Sequence, residues 1–402
     1  MSDYFPEEII ERILLRLPTK SLIKSTLVCK SWMSLIKSST FIQSHLSITI
    51  DSNNQNDAHL LLLSAFSYKV SDRLHWLHWD SPEFGEYSLL ADPVTFLENE
   101  PISDLEVVGT CNGLICLAPD LSDNHSPTLI WNPCIRKIVI LPSPPACFTS
   151  TQYDKYIEHG FGYDSHSNDY KVLRIVTLPD DHSDLSRFAT VVQVYSLARA
   201  SWKTLDASVV PVDLQGGPGI VLFLNGSLHM LEVRFSVGYD DHADEYCKYG
   251  GDTFIASFDM ATELFGEVMM PEALQRNRCT ISKYGDSLAL IKHYDYNCGC
   301  DIWVMKEYGV TESWTYLYKI AGDHDYIYGF KRCGEVVLSE FNNHGRSRMI
   351  SLDPKTKQVQ VFGNKDYTYY FMDSFVESLI LLDHVNAISY QRARKKKMSR
   401  RP

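Results

Sequence analysis

One stretch of the sequence holds residue types that could bind a metal ion. Cys298-Gly299-Cys300, with Cys279 and His293 nearby, offers thiolate and imidazole ligands of the kind that zinc prefers. The Cys-x-Cys spacing lacks the paired Cys-x-x-Cys hooks that are typical of a structural zinc site. We therefore interpret this stretch as a polar loop between strands and expect no metal site.

A second stretch, His75-Trp76-Leu77-His78-Trp79, brings together two imidazoles that could act as a general acid and a general base. Successive side chains of a strand point to opposite faces, so His75, Leu77 and Trp79 share one face and His78 lies on the other. The two histidines then cannot act on one substrate, and we interpret the stretch as a half-buried edge strand.

Other catalytic signatures are missing from the sequence. It contains no Gly-x-Ser-x-Gly nucleophile motif, no Walker loop and no metal-type histidine pair. We therefore expect no catalytic residue and no cofactor.

The charge of the chain is unevenly distributed. Of the net charge of −12, residues 1–45 carry four acidic and six basic side chains, and residues 392–402 carry seven basic ones, which leaves −21 on residues 46–391. An acidic body repels nucleic acid and favours a basic or neutral partner. The basic tail, residues 391–402, is either a disordered solvated segment, a nuclear localisation signal or a loose phosphate-binding arm.

The chain carries no sign of secretion or membrane insertion. Its start lacks the basic and apolar regions of a signal peptide, and its apolar runs are too short to cross a bilayer. We expect a cytoplasmic protein, or one that also enters the nucleus, with no membrane partner. In that reducing compartment Cys29, Cys111 and Cys116 are interpreted as core residues.

The first 45 residues have a helical pattern. Pro6 suits the first turn of a helix, and apolar residues from Ile9 to Leu17 recur at helical spacing. Pro18 ends this helix and Thr19 is predicted to cap the next one. So short a segment cannot bury all of its apolar surface alone, so part of it must meet another domain or a partner.

We interpret residues 46–390 as one all-β domain that is built from a repeated unit. A turn followed by an apolar strand recurs at Asn112-Gly113, Asn168-Asp169, Asn225-Gly226, Gly285-Asp286 and Gly334-Glu335. Each copy is followed by two further strands, and the copies are spaced like the blades of a propeller. Residues 46–105 together with a strand near residues 375–382 are predicted to supply a sixth blade and close the ring. We expect Trp131, Trp202, Trp303 and Trp314 to be largely buried.

Two sets of short motifs in the sequence match those of a known family. Phe5-Pro6-Glu7-Glu8-Ile9-Ile10, Leu17-Pro18-Thr19-Lys20 and Val28-Cys29-Lys30-Ser31-Trp32 are similar to an F-box. Gly109-Thr110-Cys111-Asn112-Gly113, Trp131-Asn132-Pro133 and Gly160-Phe161-Gly162-Tyr163-Asp164 are similar to the F-box-associated domain. By these motifs the sequence resembles plant F-box/kelch-repeat proteins, the group to which the S-locus F-box proteins of pollen belong. The resemblance implies a small all-α F-box, residues 1–45, followed by an all-β, β-propeller-like domain of the kelch type.

The resemblance implies a non-catalytic substrate receptor of a Skp–cullin–F-box ubiquitin ligase. The F-box would bind a Skp-type adaptor and, through it, the cullin and RING subunits. We expect nine residues to form the adaptor contact or the F-box core: Phe5, Pro6, Ile9, Ile13, Leu17, Pro18, Leu22, Val28 and Trp32.

The β domain would select a protein for ubiquitination and proteasomal degradation, and a role in pollen self-incompatibility is one version of this function. Loops that mix acidic groups with tyrosines suit a basic protein surface. The predicted substrate-binding residues are Tyr239, Asp240, Asp241, Asp244, Glu245, Asp323, Asp325 and Tyr326. Two alternatives stay open: a scaffold that holds the adaptor without a ligase, and a kelch-type enzyme.

Overall fold

The N-terminal part of the chain folds into four helices, α1 (Glu7–Leu14), α2 (Thr19–Ser25), α3 (Lys30–Lys37) and α4 (Ser39–Asn56). The computed structural model describes residues 5–67, 72–94, 105–119, 126–146, 156–179, 188–211, 220–240, 245–294, 299–322, 324–341, 347–362 and 368–390. The domain boundary predicted at residue 45 falls inside α4, which runs on to within a few residues of the first strand.

Prolines set the starts of the first two helices. Pro6 is the N-cap of α1, and Glu7 and Glu8 lie in its first turn, where their charges favour the positive end of the helix. Pro18 is the N-cap of α2 and no side chain caps that helix. The prediction that Thr19 caps α2 is wrong: proline already holds the extended backbone that a cap position needs, and Thr19 is the buried first residue of the helix.

The regular elements in the rest of the described chain are mainly β-strands. The first group is β1 (Leu60–Ser67), β2 (Asp72–Trp79) and β3 (Glu86–Leu89). The next groups are β4 (Leu105–Cys111), β5 (Leu114–Pro119), β6 (Leu129–Asn132) and β7 (Lys137–Ile140), then β8 (Tyr156–Asp164), β9 (Asp169–Pro179), β10 (Phe188–Ser196) and β11 (Ser201–Thr204). They are followed by β12 (Leu222–Leu224), β13 (Ser227–Asp240), β14 (Glu245–Asp259) and β15 (Phe265–Val268). The last groups are β16 (Cys279–Tyr284), β17 (Ser287–His293), β18 (Cys300–Met305) and β19 (Trp314–Ile320), then β20 (His324–Phe330), β21 (Val336–Phe341), β22 (Ser347–Leu352) and β23 (Val359–Phe362), and finally β24 (Thr368–Phe375) and β25 (Ile388–Ser389).

These strands form six sheets that are the blades of a propeller. Blade 1 has the order β24-β1-β2-β3, blade 2 contains β4 to β7 with β25 on its outer edge, and blades 3 to 6 each take four consecutive strands. The innermost strands β24, β4, β8, β12, β16 and β20 contact one another around the ring. Strand β24 comes from the C-terminal part of the chain and pairs with β1, so the predicted sixth blade is confirmed. The predicted position of its closing strand, near residues 375–382, is wrong: the strand is residues 368–375, and residues 376–382 follow it without forming a strand.

The turn between the first and second strands of blades 2 to 6 explains the sequence repeat. Asn112 and Gly113 have φ of 51° and 81°, and Asn225 and Gly226 have φ of 51° and 78°. Two successive positive φ angles define the tight hairpin turn that Asn-Gly favours. The repeat unit that the sequence shows is therefore the hairpin that leads outward from the central channel.

The core lies between blades. Trp131 is fully buried and donates from Nε1 to the hydroxyl oxygen of Tyr390 at 2.7 Å, and Trp314 is also buried. Trp202 and Trp303 are half-buried, so the prediction for the four tryptophans holds fully for two of them.

The prediction that β2 is an edge strand is wrong. β2 pairs with β1 on one side and with β3 on the other, so it lies inside blade 1. The predicted alternation is present, because His75 and Leu77 are buried while His78 on the other face is half-buried. β3 pairs only with the second half of β2, from Trp76 to His78.

Candidate functional site

Helix α1 carries an exposed apolar face. Ile9 and Ile13 are four residues apart, so their side chains follow one line along the helix, and Phe5 lies just before the N-cap residue Pro6. All three are exposed, Ile13 to 54%. On the opposite side, Leu14 is fully buried and Ile10 packs against the core. An apolar face that no described part of the chain covers is typical of a protein-binding surface.

A second exposed apolar group follows α2. Leu27 and Val28 lie in the turn between α2 and α3 and are 86% and 63% exposed, and Met33 on α3 is exposed as well. Val28 was among the predicted adaptor-binding residues. Leu27 and Met33 were missed, because the sequence was interpreted as one helix continuing through Leu22 to Leu27, whereas α2 ends at Ser25.

The other predicted adaptor-binding residues divide between surface and core. Pro6 and Pro18 are exposed at the starts of α1 and α2. Leu22 is completely buried, and Leu17 and Trp32 are half-buried against the same apolar cluster. A partner that does not unfold the helices cannot touch Leu22, so this residue belongs to the core of the helical segment.

The helices and the propeller share one hydrophobic core. Leu14, Leu22 and Phe41 of the helices lie in the same buried cluster as Leu114 of blade 2 and the apolar residues 379–382. We call residues 376–382, which follow β24, the C-terminal strap. The strap is fixed to blade 2 by Asn132, whose Nδ2 donates to the carbonyl oxygens of Ser378 and Ile380 at 3.1 and 2.8 Å.

Polar contacts complete this junction. Nε2 of His45 on α4 donates to the carbonyl oxygen of Leu17 at 2.9 Å, and burial lowers the pKa of His45, which keeps the ring neutral. Gln43 donates to the side chain of Asn168 on the propeller at 3.0 Å. Lys20 lies 4.0 Å from Glu377 of the strap. Because the interface combines a continuous core with several polar contacts, it holds the helices in one orientation on the propeller.

The two faces of the propeller differ in what they carry. The turns at Asn112-Gly113 and Asn225-Gly226 lie on the face that α4 crosses, where Asn53 of α4 lines the same cavity as Asn112 and Asn225. We call this the proximal face and the opposite one the distal face. The antiparallel strand order places the end of β13 and the starts of β14, β20 and β24 at the distal face.

The predicted substrate-binding residues belong to segments at the distal face. Tyr239 and Asp240 end β13, and Glu245 starts β14 and pairs with Asp240. Asp241, Asp244 and Asp323 lie outside the described residues. The structure therefore places the described members of this set on the side opposite the helices.

Tyr326 differs from its prediction. It lies within β20 and not in a loop, as does Asp325, because the strand begins at His324. The ring of Tyr326 is half-buried, packs against Tyr328 with centroids 5.1 Å apart and lines the central cavity. Burial raises the pKa of its hydroxyl.

The two histidines of β2 have separate structural contacts. Nδ1 of His75 lies 2.8 Å from Oγ of Ser64, and burial lowers the pKa of His75 to about 3. His78 makes different contacts. Its Nδ1 donates to the carbonyl oxygen of Phe84 at 3.1 Å, and its ring stacks on the Phe84 ring. The alternation along β2 thus separates the two rings, as the sequence indicated.

The cysteine-rich stretch is only partly described. Cys298 lies outside the described residues, Cys300 is buried in β18, and the thiol of Cys279 donates to the carbonyl oxygen of Leu274 at 3.7 Å. Within the described ranges no group of three or more His, Cys, Asp or Glu side chains is arranged to hold a metal ion. Cys111 and Cys116 are buried as predicted, but Cys29 is exposed, with its sulfur accepting from the amide of Trp32 at the start of α3.

Comparison with known proteins agrees with this architecture. Residues 3–44 match the F-box domain, and residues 89–382 match the F-box associated beta propeller domain. The chain belongs to the F-box proteins with an F-box-associated β-propeller domain. The F-box match covers α1 to α3 and the start of α4, while the propeller match begins at the end of β3, so β1 and β2 complete blade 1 outside the matched range.

The relatives of this F-box protein match most of its length. It is 29% identical to the F-box protein CPR1 of Arabidopsis thaliana, over 98% of this chain and 94% of the relative. It is also 29% identical to an F-box/kelch-repeat protein of Arabidopsis thaliana, over 84% of this chain and 85% of the relative. A TolB structure from Acinetobacter baumannii aligns at a TM-score of 0.46 and 10% identity over 84% of this chain and 73% of its own, a likeness too distant to carry an argument.

In the part of the chain that the structure describes, no helix is both long enough and apolar enough to cross a membrane.

Proposed function

We propose that this F-box protein is a non-catalytic substrate receptor of a Skp–cullin–F-box ubiquitin ligase. The observation that carries the proposal is the exposed apolar surface formed by Phe5, which precedes α1, and by Ile9 and Ile13 of α1. A Skp-type adaptor covers this face and the exposed group at Leu27 and Val28. The adaptor then connects the chain to the cullin and RING subunits.

The propeller supplies the second binding surface. Its distal face lies opposite the helices, so a substrate bound there does not compete with the adaptor for space. The shared core between the F-box and the propeller fixes the distance and direction between the two partners. Catalysis in such an assembly is by proximity, because the receptor raises the effective concentration of a substrate lysine near the charged enzyme.

The charge of the body indicates the kind of substrate. With −21 on residues 46–391, long-range attraction speeds the association of a basic protein. For a pollen S-locus member, the family resemblance implies a secreted style ribonuclease taken up by the pollen tube as the substrate, and the role in self-incompatibility stays a prediction. We place the assembly in the cytoplasm and, if the basic tail acts as a localisation signal, also in the nucleus.

Copurification from plant cells distinguishes a ligase receptor from a scaffold that holds the adaptor without a ligase. A ligase receptor brings down both the adaptor and a cullin, whereas a scaffold brings down the adaptor without cullin. Proximity labelling with the proteasome inhibited then identifies the substrate, since degradation no longer removes labelled molecules.

A salt series tests the substrate surface. Added salt screens long-range attraction, so a basic substrate should associate more slowly as ionic strength rises. Neutralising four acidic residues between positions 240 and 245 should weaken that salt dependence without changing folding: Asp240, Asp241, Asp244 and Glu245. If the fourfold variant associates like the wild type at every salt concentration, recognition does not use these charges.

A further inference from the structure

A cavity of about 470 Å³ lies in the central channel of the propeller. The strands β4, β12, β16, β20 and β24 line it, and Ile50, Asn53 and Asn54 at the C-terminal end of α4 form part of its rim on the proximal face. A volume of this size lies within the range that holds small organic ligands. The cavity therefore sits where the propeller meets the last helix of the F-box segment.

The walls of the cavity are rich in aromatic side chains. Phe223, Tyr328 and Phe371 line it and are half-buried, which means that part of each ring is not covered by protein. Phe330 and Met372 add further apolar surface. Aromatic faces carry partial negative charge and attract cations as well as apolar groups.

The charged groups in the cavity are mostly engaged with one another. Nζ of Lys283 lies 2.8 Å from Oδ2 of Asp373 across the channel. The carboxylate of Asp80 accepts from the backbone amide of Arg332 at 3.2 Å. Asp286, an exposed residue on the rim, forms no hydrogen bond or ion pair with another described residue. The lining thus holds three carboxylates against two cations, and the extra carboxylate is at the entrance.

One buried polar atom at the same entrance has no hydrogen-bond partner within the described ranges. It is Nε2 of His59, and Oδ1 of Asp57 lies 3.8 Å away, beyond hydrogen-bond distance. Burial and, next, the charge of Arg332 lower the pKa of His59, so the ring is neutral near pH 7 and can present Nε2 as an acceptor. A buried polar atom without a partner is costly, and a ligand donor placed there removes that cost.

We propose that this cavity binds a small amphipathic organic amine, with its ammonium group at the rim beside Asp286 and His59 and its apolar body against the aromatic wall. The excess carboxylate and the unpaired acceptor favour a donor with positive charge, and the aromatic rings favour an apolar body. A carboxylic acid of the same shape meets an excess of negative charge and binds more weakly.

Ligand-observed NMR on the full chain tests the proposal with three matched probes: 2-phenylethylamine, 2-phenylethanol and 3-phenylpropanoate. A fragment of about nine heavy atoms is expected to bind in the millimolar range, so probes at about 10 mM suffice. We expect the amine to bind, the alcohol to bind about tenfold more weakly and the acid to show no binding.

Three variants assign the signal to the cavity. Asp286→Asn should weaken amine binding about tenfold and leave alcohol binding unchanged, because it removes charge but not volume. Ser282 is a half-buried residue of the cavity lining. Ser282→Trp fills the cavity with a large side chain and should abolish binding of both probes. Glu312→Gln, an exposed residue outside the cavity lining, is the matched control and should bind like the wild type.

Several results would overturn the proposal. They are the absence of amine binding, equal binding of the amine and the acid, and amine binding that Asp286→Asn does not change. Asp286 is exposed, so its variant decides the question even if Ser282→Trp lowers the melting temperature.

Discussion

The side chain of Asn132 is expected to hold the C-terminal strap in place, and replacing it with Ala tests this. Asn132 is fully buried. It donates to the carbonyl oxygens of Ser378 and Ile380, and its Oδ1 accepts from the amide of Cys134 at 3.0 Å. The substitution leaves two carbonyl groups and one amide without this partner in a dry site.

The expected loss of stability follows from these contacts. Each buried backbone group that loses its partner costs about 1–3 kcal/mol, and partial relaxation brings the total to about 2–4 kcal/mol. A domain of about 330 residues has an unfolding entropy of roughly 0.7 kcal/mol/K, so the melting temperature should fall by about 3–6 °C. Differential scanning calorimetry measures this fall, and hydrogen exchange by mass spectrometry should show faster exchange in residues 376–382.

Two comparison variants sharpen the test. Asn132→Asp keeps the shape but aims a carboxylate at two carbonyl oxygens, so it should destabilise at least as much as Asn132→Ala. Asn277→Ala removes one hydrogen bond to the carbonyl oxygen of Ala273 at an exposed site and should shift the melting temperature by less than about 1 °C. If Asn132→Ala melts within about 1 °C of the wild type, the strap does not depend on Asn132 and the reasoning is wrong.

Two further predictions concern the ring. Truncation after residue 365 removes β24 and exposes the edge of β1, so the fragment should aggregate or lose its cooperative calorimetric transition, and a soluble fragment that melts cooperatively would contradict closure by β24. Burial acts to raise the pKa of Asp164, but hydrogen bonds from Ser167 and Lys171 outweigh it and lower this pKa to about 2. Because the folded pKa is below the usual 3.8, ionised Asp164 stabilises the fold above about pH 4, and this contribution is lost as the pH falls towards 2. The melting temperatures of Asp164→Asn and the wild type should therefore differ at pH 7 and converge between pH 4 and pH 2, and a difference that does not change with pH would contradict the assignment.

Local signals in the sequence predicted much of the fold. Asn225-Gly226 specifies its hairpin by itself, since both residues tolerate positive φ. The strands on either side are rich in β-branched and aromatic residues, so each hairpin could be located without knowledge of its neighbours. The sixth blade was predictable because the sequence shows five copies of the repeat. The segments before and after these copies were then the ones available to form a further blade and close the ring.

Exposure was harder to predict, because it depends on which surfaces meet in three dimensions. Leu22 and Leu27 are the same residue type five positions apart, yet one is completely buried and the other is 86% exposed. α2 ends before Leu27, so this residue leaves the helical stripe that packs on the strap. Cys29 also has apolar neighbours in sequence, but its place at the N-cap of α3 puts it at the surface. No local pattern distinguishes these cases.

For the substrate surface, the sequence and the topology predict where it lies on the propeller but not which contacts its side chains make. Its residues lie at the distal ends of strands, where side chains do not repeat from blade to blade because the strands no longer constrain them. The sequence supplies their charge, and the topology supplies the face on which they lie.

The most direct test of the central claim is the affinity of the Skp-type adaptor for surface variants of the F-box. Ile9 and Ile13 are suitable because both are exposed, whereas Leu17 is half-buried and its replacement would mix folding with binding. Isothermal titration with Ile9→Asp/Ile13→Asp should show adaptor binding weakened by roughly a hundredfold or more, because the interface would bury two unpaired carboxylates. Val359→Asp/Val361→Asp, at two exposed apolar residues of β23, is the matched control and should bind like the wild type. Adaptor binding that survives in the F-box double variant, with the melting temperature unchanged, would contradict the account.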